Sequence, residues 1–258
     1  ESFLFLLSLL PRQGLLQHAP NGKATIRLNR PAQHNRLEPV DLRELRRMFD
    51  ELGCDPEVRV LIITASGKSF SSGFHIGALA DDPKAAKDYD PDAFEKMVNV
   101  LETMPTPTIA SLNGGAYGGA TDLALACDFR IGVEGMRMFM PAARLGIVYY
   151  EAGLRRYVTR LGLNAAKRLF LTGETVEADE LLAMGFLTEL VPANELADTR
   201  SLDQVTRRFG MFEYPLDFLV WVRVPMVLVA SLSIVGIYLL IKRLLDTRLA
   251  LLAALIIA

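Results

Sequence analysis

Two adjacent glycines, Gly118-Gly119, followed by Ala120 and a single carboxylate, Asp122, stand between a β-branched run and an apolar helix-forming run. Thr108–Leu112 reads as a strand, Asn113-Gly114-Gly115 as the turn that ends it, and Gly118-Gly119-Ala120 as the first turn of a helix running to about Ala126. The N–H groups of a helix's first turn have no acceptor within the helix and point outward, towards developing negative charge. Glycines leave the approach to those groups clear of side chains. Such a turn suits an enolate or oxyanion. A second glycine-punctuated turn, Gly67 to Gly73 with Phe74, His75 and Ile76 behind it, follows the apolar run Val58–Thr64. Two strand ends, each followed by small residues, can aim two backbone N–H groups at one carbonyl oxygen.

The elements that must position these turns follow from periodicity. Lys23–Leu28 alternates and leads to Asn29-Arg30-Pro31, a strand and its turn. Leu42, Leu45, Met48, Phe49 and Leu52 fall on one face of a helix over Asp41–Leu52. Val58–Thr64 has the continuous apolar character of a strand covered on both faces. Ala65–Gly73 is small, polar and turn-like, and Asp81–Asp92 is a charged loop. Phe94, Met97, Val98, Leu101 and Met104 mark a helix ended by Pro105 and Pro107. Phe129–Val133 reads as a strand. Leu154–Leu161, Ala165–Leu171 and Ala178–Ala183 read as helices, and Phe186–Val191 as a short strand. Strands alternating with helices predict an α/β fold with crossover connections.

At 258 residues the chain accommodates one large α/β domain or a domain plus an appendage. A net charge of −2 argues against a nucleic-acid partner. Cys54 and Cys127 are far apart in or beside apolar stretches, as expected of free thiols in a reducing, cytoplasmic compartment. Three scattered histidines make no zinc centre, and no metal is expected.

Several motifs in order carry a family resemblance: ATIRLNRPAQHNRL (Ala24–Leu37), VRVLIITASGKSFSSGFHIGAL (Val58–Leu79), PTIASLNGGAYGGATDLALACDFRI, MPAARLG (Met140–Gly146) and LTGETVEADELLAMGFLTELVP (Leu171–Pro192). Together they resemble the crotonase superfamily of enoyl-CoA hydratases and isomerases over about residues 14–200. The resemblance implies a ββα superhelix, or spiral, and an oxyanion hole made by the N–H groups of Phe74 and Gly119. It implies an acyl-CoA thioester as substrate, coenzyme A entering as part of that substrate with no separate cofactor, and a homotrimer or hexamer. His75, Ile76, Gly118 and Tyr150 are expected to line the substrate site. His75 reads as a local hydrogen-bonding residue, and Tyr149 and Tyr150 as residues that shape the acyl pocket or pack rather than do chemistry.

The acid–base residues depart from the family pattern. Its hydratases use two glutamates; the first slot here is Asp122, one methylene shorter, and the second, after Pro141, is Ala142. Adding water to a double bond needs a base for the water and an acid for the carbon, although one carboxylate can sometimes serve both; Ala142 can serve neither, which counts against the two-glutamate reaction. Some isomerases of the superfamily use one carboxylate four residues after the motif glycine. That position is Tyr150, with Glu151 beside it. Asp122 and Glu151 are therefore the expected proton carriers. Against this, Asp122 also suits a carboxylate that merely favours its helix dipole, and Glu151 a solvated helix start.

Both ends are unusually apolar. Residues 1–13 contain FLFLLSLL. In the expected helical segment 201–258, Val224–Ile241 is an eighteen-residue run without a charge, flanked by Arg223 and Lys242-Arg243. That run fits a membrane span, which would make the protein membrane-associated, or a helix buried in a trimer. The third reading, a terminus foreign to the family by fusion or misassignment, is the one the sequence favours.

Overall fold

The computed structural model describes residues 15–19, 22–76 and 90–197. The expected apolar segments 1–13 and 201–258, including 224–241, and most of the 81–92 loop lie outside them. Among the described residues no helix is long and apolar enough to cross a membrane.

Two mostly parallel sheets form the frame. The larger contains β1 (Leu15–Ala19), β2 (Lys23–Leu28), β3 (Val60–Ala65), β5 (Thr108–Leu112), β7 (Phe129–Val133) and β10 (Glu189–Val191), in that spatial order. Only β1 runs antiparallel to its neighbour. The smaller sheet orders β4 (Ser69–Ser71), β6 (Gly115–Tyr117), β8 (Arg137–Phe139) and β9 (Val176–Glu177), with β9 antiparallel to β8. The chain lays one strand in the large sheet and the next in the small one, three times over: β3 then β4, β5 then β6, β7 then β8. Helix α2 (Ala93–Glu102) precedes the second strand pair. Helix α3 (Gly119–Ala126) follows it, and α4 (Ala142–Leu145) follows the third. The expected α/β arrangement is thus a strand–strand–helix progression.

The packing explains why these segments take these forms. All residues of β3 and β5 are buried, the hydroxyls of Thr64, Thr108 and Ser111 included, as expected of strands covered on both faces. Helix α1 (Pro39–Cys54) buries Leu42, Leu45, Met48, Phe49 and Leu52, the stripe expected from its periodicity. A capping box between Glu38 and Asp41 and a proline in the first turn start it two residues before the expected Asp41. Helix α2 buries Phe94, Met97, Val98 and Leu101.

Several boundaries moved. The first strand pair's β3 spans Val60–Ala65, not Val58–Thr64, and the last strand begins at Glu189, not Phe186. Ala65–Gly73 is not turn throughout, because Ser69–Ser71 pairs with Gly115 and Ala116. Three-residue strands carry no readable alternation; pairing with a neighbouring turn of the chain creates them. Helix α5 (Glu151–Leu161) starts at Glu151 rather than Leu154, and α6 (Leu163–Thr172) at Leu163 rather than Ala165. The following helix, α7, spans the expected Ala178–Ala183, and a short α8 (Ala193–Ala197) comes after β10.

Candidate active site

Strands β4 and β6 lie side by side, so the turns that follow them meet. Gly73 has φ +85°, and a Cβ there would fall 2.6 Å from the Tyr117 carbonyl oxygen and 2.8 Å from the Gly119 nitrogen. No side chain fits between those backbones, which explains glycine at this position. Gly118 caps α3 with φ 56° and ψ −129°, a conformation glycine adopts readily. Gly119 is then the first helical residue, and its N–H has no acceptor inside the helix. Phe74 follows Gly73 and bridges in parallel to Leu37. The two backbone segments expected from the sequence are therefore in contact.

A wall the sequence did not reveal stands beside them. Phe94, read only as a core residue of its helix, presses its ring on Gly119, where a Cβ would lie 2.7 Å from Phe94 Cζ. Its ring centroid is 6.2 Å from that of Phe74 and 6.1 Å from that of Tyr150. Tyr150 in turn stacks on Tyr149 at 4.5 Å. Aromatic surface thus runs from Phe74 through Phe94 to Tyr150, next to the start of α3. Of the other expected substrate residues, His75 is half-buried with Nδ1 3.1 Å from Glu38 Oε2, and Ile76 is exposed.

Asp122 sits in the first turn of α3 and is completely buried. Its Oδ1 accepts a hydrogen bond from Arg156 Nη1 at 2.6 Å. Its Oδ2 accepts from the Tyr149 hydroxyl at 3.1 Å and also from the Tyr150 hydroxyl. Arg156, equally buried, donates through Nη2 to Asn99 Oδ1 at 2.9 Å and Glu102 Oε2 at 3.0 Å. The guanidinium joins α5 to α2 and α3 through charge-assisted bonds. Burial works against the Arg156 charge, but Asp122 and Glu102 outweigh it and hold its pKa above the ordinary value. Burial likewise favours neutral Glu102, yet Arg156 and Arg155 hold its pKa below the usual carboxylate range. Burial first, then the charge of Asp122, pushes Tyr149 and Tyr150 well above the usual phenol range. Both phenols are hydrogen-bond donors at neutral pH.

The two expected proton carriers are placed very differently. Asp122 lies beneath the aromatic wall, whereas Glu151 is exposed at the first position of α5, and its carboxylate pairs with no described residue. Tyr150, not Glu151, reaches Asp122. Ala142, expected from the sequence to stand where the hydratases carry a second glutamate, follows Pro141, whose Cδ is 3.7 Å from where a Gly118 Cβ would be. The Ala142 methyl group is buried. Sequence reasoning missed Arg156 entirely. The available signal was an arginine on the face of α5 that otherwise turns Gly153 and Tyr157 inward.

Mostly parallel paired sheets, with glycine turns packed together after β4 and β6, define the class: an α/β fold of the crotonase type. A family model described as enoyl-CoA hydratase/isomerase matches residues 18–205. The chain is 34% identical over 175 residues to a crotonyl-CoA hydratase of Syntrophomonas wolfei, covering 67% of each chain. It is 32% identical over 177 residues to a short-chain-enoyl-CoA hydratase of Clostridium acetobutylicum, covering 68% of each. A monofunctional enoyl CoA isomerase from M. smegmatis superposes with a TM-score of 0.65 and 28% identity, over 80% of this chain and 88% of that one. The chain belongs to the enoyl-CoA hydratase/isomerase (crotonase) family, a family of enzymes acting on acyl-CoA thioesters.

Proposed function

We propose that the protein moves a carbon–carbon double bond along an enoyl-CoA through a thioester enolate, and that isomerisation rather than hydration is its main reaction. The observation that carries this reading is the single carboxylate at the site: Asp122 is present and Ala142 occupies the position of a second. Moving a double bond requires one proton to leave one carbon and return to another, which one acid–base centre can do. Adding water requires, besides a proton for carbon, a water molecule held and activated at the other carbon, a task for which Ala142 offers no group. In this reading the N–H groups of Phe74 and Gly119 hold the thioester oxygen, and each donor is worth about 3 kcal/mol in the transition state. Phe94 and Tyr150 wall the acyl group, with Gly118, His75 and Ile76 around the entrance. Glu151, exposed and unpaired among the described residues, is a weaker choice for the proton carrier than Asp122.

A homotrimer or hexamer is part of the same reading. Exposed apolar side chains on and around α4 and α6, namely Leu145, Val148, Leu163 and Leu171, supply surface that assembly would cover.

The decisive experiment follows a short 3-enoyl-CoA and a short 2-enoyl-CoA with purified protein. Conversion of the former to the 2-enoyl isomer, faster than hydration of the latter and lost in Asp122→Asn, is the expected result. One observation favours a second reading, that of a catalytically weak acyl-CoA-binding protein: the enclosure of Asp122 by Arg156 and two tyrosines. Binding of both thioesters without turnover would overturn isomerisation and support that alternative.

A further inference from the structure

Every short route to Asp122 is occupied. Its Oδ1 faces Arg156, its Oδ2 takes two phenol hydroxyls, and its exposure is 0%. The first turn of α5 closes over it so tightly that a Cβ on Gly153 would lie 3.1 Å from Asp122 Oδ2. A substrate carbon cannot reach this carboxylate without dismantling the cluster. The Tyr150 side chain does bridge the gap. Its hydroxyl is on Asp122, and its ring meets the Phe94 ring that covers Gly119. Tyr149 instead sits behind it, 5.3 Å from Phe170 of α6.

We propose that Tyr150 is the residue that exchanges protons with substrate carbon, relaying them to and from Asp122, with Arg156 as the positioning residue that holds the Asp122 carboxylate in aim. This deepens the enolate reading above and rests on it. In the first step the Tyr150 oxygen takes the proton from C2 as its own proton passes to Asp122 Oδ2. The C–H electron pair moves into the thioester, whose oxygen carries the charge against the backbone N–H groups. In the second step the Tyr150 proton goes to C4, Asp122 returns its proton to the phenol oxygen, and the double bond lies between C2 and C3. The phenol starts and ends neutral, consistent with burial and the Asp122 charge opposing its ionisation. The relay spares the enzyme a free tyrosinate. The groups facing Asp122 are Arg156 and Tyr157 from α5, Tyr149 and Tyr150 from the segment before it, and Glu102 of α2 through Arg156.

The test isolates the first proton transfer. Saturated butyryl-CoA in D2O is monitored by NMR for deuterium entering C2, alongside 3-enoyl-CoA isomerisation, in the parent, Tyr150→Phe and Arg156→Lys. Tyr150→Phe removes one oxygen and should slow both processes by about 100-fold or more, with butyryl-CoA affinity within about threefold of the parent. The parent's isomerisation should be slowed both by D2O and by deuterium at C2 of the 3-enoyl-CoA, and the two effects should persist together, because the C2–H and the Tyr150 O–H move in one step. Arg156→Lys keeps the charge but loses the two-pronged hold on Asp122 and Glu102, and should lower kcat about tenfold or more with KM within about threefold of the parent. Exchange by Tyr150→Phe within about threefold of the parent, or slowing by deuterium at C2 with no effect of D2O, overturns the relay and leaves the enolate reading standing. A parent that binds butyryl-CoA but neither exchanges nor isomerises overturns both.

Discussion

Replacing Arg156 by methionine tests whether the buried cluster is held together by charge. The parent guanidinium makes three bonds: to Asp122 at 2.6 Å, Asn99 at 2.9 Å and Glu102 at 3.0 Å. Glu102 keeps a second partner, Arg155 Nη2 at 2.9 Å, and is half-buried, so its loss is partial. Asn99 loses a bond to its neutral amide oxygen. Asp122 is left as a fully enclosed carboxylate with only the two phenol donors. Breaking one side of a buried pair costs about 3–5 kcal/mol, and the remaining donors place this case near the lower end, about 3 kcal/mol. The parent already tolerates a buried Arg156 Nε with no partner among the described residues, a cost that methionine relieves. Urea unfolding at one fixed protein concentration measures the change, since assembly would link stability to concentration. The double variant Arg156→Met/Asp122→Asn removes both charges and should recover about 2 kcal/mol relative to the sum of the single changes. A single-variant loss below about 1 kcal/mol, or strictly additive losses, would refute the argument that the pair is mutually dependent.

Three further outcomes follow from the same structure. Gly73→Ala should cost about 1–3 kcal/mol in backbone strain at φ +85° and push the β4 turn off Gly119, lowering kcat about 100-fold; normal kinetics would show that the two turns are not jointly required. Because the folded-state pKa of Glu102 is depressed, its stabilisation is present above the unfolded value of 4.5 and is lost as pH falls through the lower folded value. Acid unfolding of Glu102→Gln should therefore be shallower than the parent's below about pH 4.5, and parallel curves would contradict the assignment. Cys54 is exposed, whereas burial raises the Cys127 thiol pKa to about 12, so a thiol reagent near pH 8 should titrate one cysteine in the native protein and both in denaturant.

Legibility in the sequence followed the range of the forces involved. The buried stripe of α1 and the strands β3 and β5 were readable because each element's burial imprints a local period or an unbroken apolar run. The short strands β4, β6 and β8 were not, since three residues in a sheet owe their form to partners in other turns of the chain. At the site, the glycines announced themselves by being poor helix and strand formers placed where an element begins. Asp122 was visible too, but its surroundings were not.

The sequence alone determined the family and the two glycine turns, because their local conformational demands leave ordered motifs in the chain. It also determined that Ala142 cannot carry a proton. Where each of the two candidate carboxylates lies was decided only by tertiary structure. Asp122 and Glu151 look interchangeable as letters, yet one is enclosed by Arg156, Tyr149 and Tyr150, and the other is exposed. The bond between Asp122 and Arg156 spans thirty-four residues of chain, and no local pattern records it. Its strength comes from the water that folding excludes around both charges, a property of the packed cluster rather than of any segment.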